Sequence, residues 1–273
     1  MAVPHHETQS PYKVQVLDRA LALLDALADE RDGVSLAELS ARLRLHKSTT
    51  HRLVMVLERH RLVNRRTGTG RYALGLKLFE LGSRAVANTD LREHARPALQ
   101  RVLYETDETV HFCVLDDGEV LYVDKMEPQR SVRMASSVGR RAPVHCTAVG
   151  KAMLAELPAS EVEQIVRRHG MRRITRHTVT TPAELTAELR AIRTRGYAID
   201  DEENEEGVRC VGAAIVDSAG RPVAAISVSG PSFRITKEKV SAVARSVKTA
   251  ARAVSAQLGH RGLGAQAAGS TAS

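Results

Sequence analysis

The chain has 273 residues, 43% of them apolar, enough for the cores of two modest domains and too apolar for wholesale disorder. Forty Lys and Arg face 32 Asp and Glu, for a net charge of +8, a balance that suits a polyanionic partner. Aromatics are 3% with no Trp, which excludes a base-stacking platform for single strands. Cys113, Cys146 and Cys210 are widely spaced and odd in number, so neither a disulfide framework nor a zinc ribbon is expected.

The start, MAVPHHETQSPYK, has no apolar signal core, and no run approaches membrane-spanning length, so a cytoplasmic protein is expected. Residues 1–11 lack periodicity and read as a disordered arm. From Val14 to Ala28, Val16, Leu17, Ala20, Leu21, Leu24 and Leu27 recur at helical spacing, and Asp32-Gly33 ends the helix. Ser35 with Glu38 three residues on has the form of a capping box, followed by the stripe Leu36, Leu39 and Leu43. A third helix is predicted from about Ser48 to Arg59. Two short strands, Leu62–Arg66 and Arg71–Leu74, then flank Thr67-Gly68-Thr69-Gly70, whose glycines supply positive φ. Three helices and a hairpin in this order predict a winged helix-turn-helix over residues 12–75.

At 100° per residue, Thr50, Leu53, Val54 and Leu57 share one face of the third helix, while Ser48, Arg52, Met55 and Arg59 fall opposite, flanked by Thr49 and His51. Recognition helices read bases chiefly through their N-terminal residues. The candidate duplex contacts are therefore Lys47, Ser48, Thr49, His51 and Arg52 on the helix, with Arg65, Arg66 and Arg71 on the wing for phosphates. Between Arg42 and Lys77 stand ten cations and one acid, Glu58, whereas an ordinary solvated face mixes signs. A winged helix used only for protein contact is the competing reading.

Residues 76–90 read as a linker helix, and Asp90 as the cap of a further helix through Leu103. Beyond Thr109 the pattern is α+β with an antiparallel sheet, without the alternation of a nucleotide-binding sheet. Hairpins are predicted for Val110–Leu115 with Val120–Val123, and for Cys210–Asp217 with Val223–Ser229. Val132–Ser136 reads as a strand. Helices are predicted over Thr147–Leu157, Glu161–His169 and Pro182–Arg195 (capped by Thr181, ended by Gly196), with a final helix capped by Thr236 and running to about Leu258. The domain so defined spans 91–259, and 260–273 reads as a disordered tail. The acidic run 200–206 reads as a solvated loop apart from Asp200. His145 and Cys146 lack companions at metal spacing, so no metal and no cofactor are expected. Lys151 follows Gly150, but His145 stands where a P-loop needs its first Gly, and neither G-x-S-x-G nor H-E-x-x-H occurs. An enzyme acting on a small carboxylate, and an architectural DNA-binding protein without a ligand, are the alternatives.

Four segments carry a resemblance. HKSTTHRLVMVLERHRLV with a wing ending RYALG, VGRRAPVHCTAVGKAMLAELP, GYAIDDEENEEGVRCVGAAIVD and AAISVSGPSFRI occur in the order seen in the IclR family of bacterial transcriptional regulators, which the chain resembles over about Val14 to Leu258. The resemblance implies a GAF-like effector-binding domain, homodimers formed largely through the N-terminal domains, pairing into dimers of dimers, and more often repression than activation. It implies an effector pocket of Ala148, Val149 and Gly150 at a helix start, Asp200, Cys210, Ser227 and Ser229, with Ser131 and Met134 as the opposite wall. The segment VHFCVLDDGEVLYVDKMEP with RRAPVHCTAVGKAML resembles most the KdgR-like branch, which implies a sugar-acid effector such as 2-keto-3-deoxygluconate. The partners so implied are a palindromic duplex operator and a small organic acid.

Overall fold

A computed structural model describes residues 14–28, 30, 32–87, 91–130 and 134–260. The expected arm, the tail beyond 260, the Asp90 cap and Ser131 lie outside them. The chain forms two units, Met1–Thr89 and Asp90–Ser273.

In the first unit, α1 (Gln15–Ala28), α2 (Leu36–Leu43) and α3 (Lys47–Arg59) precede a hairpin of β1 (Val63–Arg65) and β2 (Tyr72–Leu74), and α4 (Leu76–Ala87) follows. Leu23 and Leu27 of α1, Leu39 of α2, and Leu53, Val54 and Leu57 of α3 bury one apolar stripe each into a shared core with Val34, Val63 and Tyr72. Gly68 and Gly70 take positive φ, +90° and +66°, as the wing turn requires. Val34 bridges Tyr72, so the wing is stitched to the segment before α2. That approach is close enough that a Cβ on Gly33 would lie 2.7 Å from the Tyr72 carbonyl.

The Ser35–Glu38 box forms in both directions, with Ser35 N–H donating to Glu38 Oε2 at 2.7 Å and Glu38 N–H to Ser35 Oγ at 3.3 Å. The hydrogen bonds from Ser35, with the Arg71 guanidinium, hold the Glu38 carboxyl down at about 2 against an ordinary 4.5. A lowered folded pKa gives stability that is present above pH 4.5 and lost as pH falls towards 2. Protection of the α2 amides relative to their intrinsic exchange rates should therefore fall over that window, and Glu38→Gln should show the lower protection already at pH 7 with a flatter pH profile.

The second unit is an antiparallel sheet of six strands in the order β5-β4-β3-β8-β7-β6. Its elements are α5 (Leu91–Thr106), β3 (Thr109–Asp116), β4 (Glu119–Met126), β5 (Arg141–Ala142), α6 (Ala148–Ala155), α7 (Ala159–His169), α8 (Pro182–Arg195), β6 (Ala198–Asp201), β7 (Val208–Val216), β8 (Pro222–Pro231) and α9 (Val240–Gln257). Alternation along the central strands separates two faces. Val110, Phe112, Ala213, Ile215, Ile226 and Val228 pack on α5 and α9, while Cys113, Ala198 and Ala225 pack with α6 and α8. The α+β architecture with an antiparallel sheet is as expected.

Three local expectations are corrected. Met134–Ser136 is not in a strand; the partner of β4's outer edge is Arg141–Ala142, whose register sets Val120 against Ala142. Thr236 does not cap α9. Its carbonyl accepts from the Lys239 and Val240 N–H groups, closing a separate turn before the helix begins at Val240. The acidic run is not a wholly solvated loop: Glu202 and Glu203 follow β6, and Glu203 is buried.

Candidate functional site

The first candidate surface is the outer face of α3. Thr50, Leu53, Val54 and Leu57 are buried, and Lys47, Ser48, His51, Arg52, Met55 and Arg59 are exposed, with Thr49 half-buried. His46 precedes the helix in extended conformation without a side-chain cap bond, and the first turn holds no acid. The positive end of the helix is thus presented uncompensated beside Lys47, an arrangement that attracts a phosphate. On the wing Arg65 and Arg66 are exposed, and the Arg65 guanidinium lies over the Tyr72 ring, 5.9 Å from its centroid.

Arg71 departs from expectation. Its Nε donates to the Gly33 carbonyl and its Nη2 to Glu38, both at 2.9 Å, so this guanidinium braces the wing against the α2 cap instead of standing free for a phosphate. Arg42 and Lys77 are likewise paired, with Glu30 and Glu80.

The second candidate surface is the α6 face of the sheet. Cross-strand register lays Asp200, Cys210, Ser229 and Thr109 in one row, and Ala198, Gly212, Ser227, His111 and Lys125 in the next. Gly212 seats the helix: a Cβ there would lie 3.0–3.1 Å from Ala148 C and O and Val149 N. The start of α6 is thereby held over the serines. Helix geometry leaves the Ala148 and Val149 amides without an acceptor in their own helix. The Gly150 amide, by contrast, is already taken by Thr147 Oγ1 at 3.2 Å, so it is not available as an anion donor. Met134 enters through its backbone, its carbonyl accepting from Lys125 Nζ at 2.8 Å. Asp200, Cys210, Ser227, Ser229, Ala148 and Val149 are thus brought together, whereas Gly150 serves the helix cap.

The electrostatics of this face follow from burial. Asp200 Oδ1 accepts from the Glu203 and Asn204 amides at 2.8 and 3.3 Å, yet burial and the neighbouring Glu203 carboxylate raise its pKa to about 7. Burial pushes the thiols of Cys113, Cys146 and Cys210 and the Tyr122 phenol upward, leaving them protonated and unreactive. Sequence reasoning missed three groups. His111 bonds both Ser229 and Ser136. Lys125 holds Met134 and Ser136. Lys151, 1% exposed, is paired with Glu203 within the second unit. For His111 the only signal was its odd place in an apolar strand run, and for Lys151 its place inside an otherwise apolar helix. His145 Nε2 meets the Arg172 carbonyl at 3.1 Å.

Comparison with known proteins bears on both surfaces. The IclR helix-turn-helix domain family matches residues 16–67, and the family described as bacterial transcriptional regulator IclR C-terminal matches residues 83–256. The chain belongs to the IclR family. Among its IclR-family relatives, the HTH-type transcriptional regulator KdgR of Escherichia coli is 35% identical over 252 residues, covering 92% of this chain and 95% of that protein. The transcriptional repressor IclR of Escherichia coli is 36% identical over 249 residues, covering 90% and 91%. The crystal structure of an IclR homolog from Microbacterium hydrocarbonoxydans complexed with 4-hydroxybenzoate superposes with a TM-score of 0.79 at 26% identity, covering 89% of this chain and 98% of that one. As an IclR-family protein the chain is a DNA-binding transcriptional regulator and not an enzyme. Among the described residues no helix is long and apolar enough to cross a membrane.

Proposed function

We propose that this regulator is a repressor that binds a palindromic operator as a homodimer, pairing into a dimer of dimers, and is switched by a small organic acid held on the α6 face. The observation that carries the reading is the coexistence, in one chain, of an outward recognition-helix face and a sheet face where two serines lie beneath a helix start. Lys47, Ser48, Thr49, His51 and Arg52 contact the major groove and its phosphates, and Arg65 and Arg66 contact flanking phosphates, while Arg71 supports the wing. Residues 12–75 form the DNA-binding domain and 91–259 the effector domain, joined through 76–90.

Dimerisation is supported by the apolar side chains that α1 and α4 leave uncovered. Val14, just before α1, and Leu17 and Leu21 on it recur at i, i+3 and i+7, and Leu76 and Phe79 on α4 add a second pair, all exposed in the single chain. A two-fold dimer gives two recognition helices one helical turn apart, which is why the operator is palindromic. The relatives' names support repression, and the 4-hydroxybenzoate complex supports an acid as effector. Within that class we assign a sugar or keto acid. The carboxylate would lie on the Ala148 and Val149 amides and the Ser227 and Ser229 hydroxyls, with Asp200 and Cys210 beside it. The acid acts by favouring one arrangement of the DNA-binding domains over another.

The test is a footprint on the DNA upstream of the gene and its neighbours, with and without 2-keto-3-deoxygluconate, pyruvate, D-gluconate and 4-hydroxybenzoate. Release of a protected palindrome by a keto or sugar acid supports the proposal. Binding of aromatic acids alone rejects the ligand class, and a footprint indifferent to every acid rejects the sensor.

A pH dependence follows. Asp200 changes charge near pH 7, and its ionised form would repel a bound carboxylate. Acid affinity should fall as pH rises from 6 to 8, by about tenfold per pH unit above the Asp200 pKa at most. Asp200→Asn, which keeps an acceptor for the Glu203 and Asn204 amides, should flatten that fall in isothermal titration.

A further inference from the structure

His111 joins one of the α6-face serines to a segment off the sheet. Its Nδ1 stands 3.2 Å from Ser229 Oγ on β8, and its Nε2 stands 2.6 Å from Ser136 Oγ, in the segment between β4 and β5. The same segment is held by Lys125, the cross-strand partner of His111, whose Nζ donates to the Met134 and Ser136 carbonyls at 2.8 and 2.7 Å and pairs with Glu127 at 3.0 Å. The Tyr122 ring meets the imidazole edge-on, with centroids 5.1 Å apart.

Burial and the Lys125 ammonium push the His111 pKa down to about 3, so the ring is neutral at pH 7 and carries one N–H. A neutral imidazole between two hydroxyls can be wired in two directions. If Nδ1–H donates to Ser229, Nε2 must accept from Ser136; in the other tautomer both bonds reverse. The ring has a single N–H, so the direction at one end sets the direction at the other.

We propose that His111 relays occupancy of the acid site to residues 134–136. A carboxylate on Ser229 accepts the hydrogen bond of that hydroxyl. Ser229 Oγ is then left to accept from Nδ1–H, Nε2 becomes the acceptor, and Ser136 donates to it. The anion's charge strengthens each bond of the chain in turn, so the acid and the pinned segment stabilise one another. His111 is a positioning residue here, acting on the ligand through Ser229. The inference rests on the reading of Ser227 and Ser229 as the acid-binding serines.

The experiment is nitrogen NMR of the full-length protein labelled in histidine, with pyruvate, D-gluconate and 4-hydroxybenzoate at millimolar concentration as probes. The acid that raises the melting temperature should drive the His111 ring to the Nδ1–H form. Ser136→Ala should bind that acid about three- to tenfold more weakly, the worth of one hydrogen bond. His111→Asn, able to reach Ser229 but not Ser136, should show the same loss, and the double variant no further loss. An unchanged tautomer on acid binding, with Ser229→Ala still abolishing that binding, overturns the relay and leaves the acid site standing. Undiminished acid binding in Ser229→Ala, or no response to any of the three acids, overturns the acid site and the relay with it.

Discussion

Lys151→Ala should lower the unfolding free energy by about 3–5 kcal/mol, the cost of leaving a buried carboxylate without its cation. Lys151 lies inside α6 and its ammonium is bonded to Glu203, with Glu188 a further 4.0 Å partner that also binds Arg195. Glu203 has one oxygen, Oε2, with no hydrogen-bond partner, so the ammonium is the principal compensation for its charge. Burial already raises the Glu203 pKa, and removing the ammonium raises it further. The loss should therefore be small below about pH 4.5 and grow as pH rises through the folded pKa of Glu203. Urea melts of the variant between pH 5 and 8 measure this. Lys151→Met with Glu203→Leu should recover most of the stability, because an apolar pair of similar volume carries no desolvation penalty. A single variant as stable as the parent at pH 8 would show that Glu203 reaches water.

Arg52→Ala should reduce the ratio of operator to random-DNA affinity by about ten- to hundredfold for each half-site, the value of a bidentate contact to guanine. Arg52 is exposed on the face of α3 opposite its buried stripe, one turn from the helix start. Arg65→Ala should behave otherwise, weakening both affinities together and reducing the salt dependence by about one phosphate. Gel-shift titrations at several salt concentrations separate the two. Unchanged discrimination in the Arg52 variant would remove it from base reading.

The helix-turn-helix was legible because its signals are local. Capping residues three apart, an apolar stripe at 100° intervals and two glycines in a hairpin turn act within a few residues of themselves. The sheet was legible only in its long strands. β5 has two residues, and β6 is half aspartate; each exists because a neighbouring strand offers an unpaired edge, which no local pattern announces. The start of α9 failed for a related reason, since Thr236 is a good cap that the chain uses for a turn instead. Glu203 was misread because a carboxylate in an acidic run is ordinarily solvated, and its partner Lys151 is 52 residues away. The proposed effector residues came from resemblance. What the structure adds is their common face, the Gly212 seat, and two side chains, His111, marked in the sequence only by its place in an apolar run, and Lys125, which no pattern marked.

The separation of the two faces of the central sheet also bears on how such a regulator can diverge. In β3, β7 and β8, alternate residues either build the α5–α9 core or furnish the α6 face, and few do both. On the proposed acid site, a lineage can rewrite positions 111, 210, 227 and 229 while every second letter between them stays untouched. Changes in what is sensed are then cheap in stability, and a gene copy can acquire a new inducer before it loses its fold.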